Sequence, residues 1–409
     1  MDNLVMGIYI HIPFCVRKCN YCDFLSFPVD EDIKPKYVKA LTDEIRAYGK
    51  LYGKGGSLGS VVVPSVFFGG GTPSILESKY IYQIMSVLYD CFDFVKVPEI
   101  TIECNPGTIN LLKLSDYSHI GINRLSMGLQ SACNDELKAL GRIHSYEAFK
   151  ESFKDARKAG FKNINIDIMS ALPGQTLSSY KETLNKVLSY EPEHISAYSL
   201  IIEEGTPFFK IYDNYKPDCG YAPLPDEDTE REMYYMTDEL LTAKGFSRYE
   251  ISNYAKCGYE CKHNLSYWSR INYLGLGLGA SSFIDNVRFK NISDLNRYIS
   301  ICSGLDCHNI NVSDNNTSLY IDSLTDKNEL VTLSTADAMA EYMYLGLRKI
   351  NGVSIKGFFD SFGREMSEVY GDILKKHLEY GLISIKDDTI SLTKKGIDVS
   401  NFVLSDFIQ

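Results

Sequence analysis

The chain has 409 residues, 44% hydrophobic and 23% charged, which suits one large domain with an appendage or two ordinary domains. No apolar run approaches the roughly 20 residues that a membrane-crossing helix needs, and the opening MDNLVMGIYIHIPF lacks the basic stretch and cleavage site of a secretory leader, so a cytoplasmic protein is expected. The net charge of −11 speaks against nucleic acid as a partner, because binding to its backbone requires clustered Lys and Arg.

The first predicted strand is GIYIHIP (7–13), and three cysteines follow it at once: Cys15, Cys19 and Cys22. Eleven cysteines in a chain without an export signal argue for reduced thiols, some of them metal ligands, rather than a disulfide framework. Elsewhere, as at Cys91 and Cys133, the simpler reading is a small buried apolar residue. A zinc site would pair two C-x2-C knuckles. Here the spacing is C-x3-C-x2-C, and position 24, where an adjacent fourth thiol could stand, is Phe24. Three thiolates on a [4Fe–4S] cube leave one of its irons open to a small molecule.

Helical spacing in YVKALTDEIRAYGK (37–50) leads to a second strand, SVFFGGG (65–71). Strands EITIECNP (99–106) and INRLSMGLQS (122–131) come next. A helix over 147–160 puts Phe149, Phe153 and Ala156 on one face and stops at Gly160. Strands NINIDIMSALP (163–173) and HISAYSLIIEEGTP (194–207) complete the set. Six strands alternating with helices predict parallel pairing and a partial (β/α)6 TIM-like barrel. Gly, Pro and polar residues gather just after the strands, in FFGGGTP, IECNPG and ALPGQT, at the end where barrel enzymes assemble their sites.

Residues 1–207 therefore read as the barrel, and 208–330 as a connecting region packed on it. That region holds a helix (about 227–245), the segment HNLSYW (263–268), a glycine-spaced strand YLGLGLGASSF, and a polar, loosely structured stretch from 285 to 330. Residues 331–409 read as a small helical, winged-helix-like domain without an evident catalytic group. In CGYECKH (257–263), Cys257, Cys261 and His263 lack a clear fourth ligand, so a second metal site there is a weak reading.

C-x3-C-x2-C directly after a first strand resembles the radical S-adenosylmethionine (SAM) superfamily. The resemblance implies that Cys15, Cys19 and Cys22 hold a [4Fe–4S] cluster whose open iron binds SAM, and that FFGGGTP meets the methionine ammonium with main-chain carbonyls. Within that superfamily, YIHIPFCVRKCNYCDF, IECNPG, RLSMGLQS, LGRIHS, IDIMSALPGQT and YSLIIEEGTPF resemble, in order, the oxygen-independent coproporphyrinogen III oxidase family. The positions matching that family's SAM contacts are Tyr9, Tyr21, Gly70, Gly71, Thr72, Glu103, Gln130, Arg142 and Asp167, with looser matches near Ile201 and Ser281.

The family contains a dehydrogenase of porphyrin biosynthesis, which decarboxylates coproporphyrinogen III, and a branch of heme chaperones. Two departures point to the chaperones: Phe24 replaces the last cysteine of the dehydrogenase pattern, and Tyr9 stands almost at the start of this chain. HNLSYW matches the chaperones' H-N-x-x-Y-W signature, which makes His263 a candidate axial ligand to heme and Tyr267 and Trp268 candidate porphyrin surfaces. The resemblance thus implies heme, SAM and a [4Fe–4S] cluster as cofactors, a protein acceptor for the heme, and a possible homodimer. No side chain is assigned a catalytic role. The dehydrogenase reaction stands as the alternative, and modification of tRNA is disfavoured by the acidic charge.

Overall fold

The computed structural model describes residues 4–303 and 315–408. Thirteen strands share one sheet: β1 (Leu4–Val5), β2 (Gly7–Ile12), β3 (Val61–Gly70), β4 (Asp93–Cys104), β5 (Arg124–Gln130), β6 (Ile164–Ser170), β7 (His194–Ser199), β8 (Ser247–Arg248), β9 (Asn253–Ala255), β10 (Tyr273–Leu276), β11 (Ser281–Ile284), β12 (Val287–Lys290) and β13 (Val331–Thr332). From β2 to β7 the strands lie in sequence order and pair in parallel, as strand–helix alternation requires. Both ends of this run are extended. β10 joins the outer side of β2 as another parallel strand, and β9 closes the β7 side in antiparallel register.

The period-2 pattern of the strands explains the layers. Ile8 and Ile10, Val66 and Phe68, Ile100 and Ile102, Leu125 and Met127, and Ile164, Ile166 and Ile168 are buried in one apolar cluster with the helices Ile33–Tyr52, Ser78–Cys91 and Tyr146–Lys158. The alternate residues turn inward and are polar: His11, Thr101, Glu103, Ser126, Asn165, Asp167, His194 and Ser196. Phe149, Phe153 and Ala156 are buried as the spacing demands, and Gly160 adopts φ +92° just past the helix end.

Three expectations change. The strand expected over 194–207 ends at Ser199, and Thr206 caps a short helix, Pro207–Tyr212, by accepting from Phe209 N. YLGLGLGASSF is two strands, β10 and β11, joined through Gly277 and Gly279 at positive φ. The described parts of 285–330 are ordered, with β12 and the helices Leu295–Ser303 and Asn315–Leu324; residues 304–314 lie outside the described residues. Glu44 accounts for part of that order. It accepts from Gly277 N and Asn291 Nδ2, at 2.9 and 2.6 Å, and from Tyr298 OH at 2.5 Å, and so ties the β10–β11 turn to the Ile33–Tyr52 helix.

Beyond β13 a second apolar cluster forms around Met343, Val353, Phe358, Tyr370 and Phe407. It packs helices on a three-stranded sheet of β14 (Val353–Ser354), β15 (Ile383–Lys386) and β16 (Thr389–Leu392). Glu341 joins this part to the main sheet, accepting from Arg270 Nε at 3.0 Å and Arg288 Nε at 2.8 Å.

Candidate cofactor site

The cysteines occupy the loop after β2. Its ends are clasped by Cys15 N donating to Phe27 O (3.1 Å) and Phe27 N to Pro13 O (2.9 Å). Its middle is fastened to the far side of the sheet, where Asn20 N donates to Leu140 O at 3.0 Å and Arg17 Nη2 to Gly141 O at 2.6 Å. All three thiols are free and half-buried, and they line one cavity of about 420 Å³ at the C-terminal ends of the parallel strands. Burial raises the Cys22 thiol above its ordinary value.

Gly70 and Gly71 face that loop. A Cβ on Gly70, where φ is +110°, would stand 2.5 Å from the His11 ring, and one on Gly71 would stand 2.7 Å from Phe14 O and 3.0 Å from Cys15 Sγ. No side chain fits between strand end and cysteine loop, which is the close approach glycine permits. Thr72 Oγ1 stands 3.6 Å from Cys15 Sγ and accepts from Asn105 Nδ2 at 2.9 Å. Asn105 Oδ1 accepts in turn from Arg142 Nη2 at 2.7 Å, while Arg142 Nη1 points at Cys19 Sγ, 3.6 Å away.

Two carboxyls close the floor. Glu103 Oε2 accepts from Gly70 N at 3.2 Å, and burial, with the Asp167 charge second, pushes its carboxyl up to about 8. Asp167 accepts from Asn165 Nδ2 (2.6 Å) and Ser126 Oγ (3.3 Å), and its carboxyl is also raised by burial. Tyr21, Thr72, Gln130, Arg142 and Ile201 line the same cavity. Gln130 does so at φ +70°, where the β5–β6 register shifts. Tyr9 lies just below, its hydroxyl 3.2 Å from His11 Nδ1, and burial raises its phenol. Ser281 does not join them; it is exposed on β11, opposite Lys290. Asn105 was missed in the sequence, although it stands two residues after Glu103 in the same strand-end segment.

These residues suit a thiolate-held cluster with a polar ligand on it. Among the described residues no three His, Cys, Asp or Glu converge on a point as one metal ion requires. A cluster of several irons asks only for thiolates around one cavity. The buried Arg142 Nε has no partner among the described residues, a donor left at the cavity wall. Cys257, Cys261 and His263 form no metal-ligand group among the described residues; Cys257 is exposed, and Cys261 is buried with its thiol 3.5 Å from Glu99 Oε1.

His263 lies apart from the cavity. The helix Lys262–Trp268 plugs the opposite end of the sheet, with Glu99 accepting from Lys262 N and His263 N, both at 3.1 Å. The His263 ring is buried and stacks on Phe67 at 5.3 Å between centroids. Its Nδ1 meets Ser65 Oγ at 2.9 Å and its Nε2 meets Tyr267 OH at 2.8 Å. Burial, then the Arg124 charge, lowers its pKa to about 3, so the ring is neutral. Both ring nitrogens of His263, the candidate heme ligand, thus have hydrogen-bond partners in this structure. A chain of hydrogen bonds joins the two ends: Asp167–Asn165 (2.6 Å), Asn165–His194 (2.6 Å), His194–Tyr249 (2.9 Å) and Tyr249–Cys261 N (3.3 Å).

A family model described as the radical SAM superfamily matches residues 9–187, and one described as the HemN C-terminal domain matches 333–399. The chain is 34% identical to the heme chaperone HemW of Bacillus subtilis (strain 168) over 407 residues, covering 98% of each. It is 37% identical to the heme chaperone HemW of Escherichia coli (strain K12) over 278 residues, which is 67% of this chain and 69% of that one. Among solved structures, the radical SAM enzyme coproporphyrinogen III oxidase (HemN) from Escherichia coli superposes with a TM-score of 0.81 at 22% identity, covering 99% of this chain and 90% of that one. That likeness carries the fold. No helix among the described residues is long and apolar enough to cross a membrane.

Proposed function

Since the chain belongs to the HemW heme-chaperone family of radical SAM proteins, we propose that it binds heme and passes it to an acceptor protein. The single observation that carries this reading is the identity to proteins named heme chaperone along 98% of both chains, in a sequence where Phe24 stands in place of a further cysteine. Radical SAM proteins work with SAM and a [4Fe–4S] cluster, which together supply one-electron chemistry when bound. In this reading Cys15, Cys19 and Cys22 hold the cluster. The Gly70–Gly71 backbone, Glu103 and Arg142 orient SAM through its charged groups, and Gln130 and Asp167 through its hydroxyls.

Exposed apolar residues at the cavity mouth, among them Phe24 and Ile201, leave it open to a large flat molecule or to a protein rather than sealing it. The test is anaerobic heme titration of the cluster-reconstituted protein followed by gel filtration, with coproporphyrinogen III turnover assayed on the same sample. Heme that co-elutes without turnover is the expected result. Turnover without retained heme would overturn the reading in favour of the dehydrogenase.

A further inference from the structure

Asn105 directly follows β4 on the wall of the cysteine cavity, and its amide joins two side chains that each reach a different cysteine. On one side Oδ1 accepts from Arg142 Nη2 at 2.7 Å, and Nη1 of the same guanidinium donates toward Cys19 Sγ at 3.6 Å. On the other, Nδ2 donates to Thr72 Oγ1 at 2.9 Å, and that hydroxyl lies 3.6 Å from Cys15 Sγ.

The direction of these bonds is forced. A guanidinium has no acceptor, so the amide must turn its oxygen to Arg142 and its NH2 to Thr72. Thr72 Oγ1 therefore accepts from Asn105, and its one O–H proton is left for Cys15 Sγ. Asn105 is itself held in place: its main-chain N–H donates to Ser74 Oγ at 3.2 Å, and its carbonyl accepts from Thr108 Oγ1 at 2.7 Å. One guanidinium thus serves Cys19 directly, and the same amide that holds it directs a hydroxyl at Cys15.

Reduction of an iron–sulfur cluster adds negative charge that spreads onto the ligating sulfurs. N–H and O–H donors aimed at those sulfurs stabilise that charge and so raise the reduction potential. Asparagine suits the position because one short side chain both donates and accepts. Aspartate could only accept, and would draw the Thr72 proton away from Cys15.

We propose that Asn105 is a positioning residue that sets the cluster's reduction potential, by aiming the Thr72 hydroxyl at Cys15 and steadying Arg142 against Cys19. The inference rests on the reading that Cys15, Cys19 and Cys22 hold the cluster, and goes beyond it by giving a role to a residue that ligates nothing.

The test is a redox titration of reconstituted full-length protein without SAM, followed by electron paramagnetic resonance on samples of equal iron content. Wild type, Asn105→Leu, Thr72→Val and the double variant are compared. Both single variants should have midpoints more negative than wild type, and Asn105→Leu should shift further because it also loosens Arg142. The double variant should match Asn105→Leu, since Thr72 contributes nothing once Asn105 no longer directs it. A midpoint unchanged in Asn105→Leu, or shifts that simply add in the double variant, overturns the proposal and leaves the cluster reading intact. A wild type with no reducible cluster overturns that reading and the proposal with it. Should Asn105→Leu assemble no cluster, Asn105→Asp takes its place. It keeps the shape and the acceptor for Arg142 but cannot donate to Thr72, and the cycle cancels the effect of its added charge, so additive shifts again overturn the proposal.

Discussion

Arg142 Nη1 stands 3.6 Å from Cys19 Sγ while Nη2 of the same guanidinium is held by Gly128 O at 2.5 Å and Asn105 Oδ1 at 2.7 Å. A cation fixed on two other strand ends is thereby aimed at a thiol of the loop after β2, one of the three that would hold the cluster. Hydrogen bonds to charged groups contribute about 1.5–3 kcal/mol. Arg142→Ala should therefore weaken SAM binding by roughly 10- to 150-fold and slow cluster reconstitution. Equilibrium dialysis and iron assay measure the two effects.

The two glycines should fail differently. Gly70→Val places a side chain against the His11 ring at φ +110°, which displaces the strand end. SAM affinity should fall with iron content unchanged. In Gly71→Val the new Cβ pushes on Phe14 O and Cys15 Sγ, so the cluster itself should be lost. Equal iron content in both variants would contradict this division.

Glu103 gives the site a pH signature. Its ordinary value is 4.5 and its folded value about 8. Below 4.5 both folded and unfolded chains hold the proton. Between 4.5 and 8 only the folded chain does, so this residue's contribution makes stability fall as pH rises through that window and level off above it. Glu103→Gln should flatten that part of the curve in denaturant titrations. A cationic ligand beside Glu103 ionises it, so SAM binding at pH 7 should release a proton. Calorimetry in buffers of different ionisation enthalpy detects that release, and Glu103→Gln should remove it.

Glu341 tests the link between the two apolar clusters. It is buried and pairs with both Arg270 and Arg288. Removing one member of a buried ion pair strands the other charges, at about 3 kcal/mol here, because Arg288 is partly solvated. Glu341→Ala should lower the midpoint of thermal unfolding and leave iron content unchanged.

Much of the site was legible in the sequence because its chemistry is local. The cysteine loop, FFGGGTP and IECNPG each follow a strand directly, and parallel strands in sequence order bring such ends together. What escaped was long-range. β10 pairs with β2 across more than 260 residues of chain, and a four-residue strand, YLGL, carries no sign of its partner. The order after residue 285 depends on Glu44, a carboxylate on the first long helix that nothing in the later sequence advertises. The partners of His263 could not be read from its own segment. Ser65 and Phe67, which enclose it, come from a strand about 200 residues earlier.

Everything proposed for the cavity depends on three thiols holding a cluster with an iron open to SAM. Electron paramagnetic resonance of the reconstituted, dithionite-reduced protein, recorded with and without SAM, tests this directly. The account predicts a cluster signal that changes on adding SAM, and no cluster in Cys19→Ser. A signal indifferent to SAM, or a cluster retained in Cys19→Ser, would contradict it.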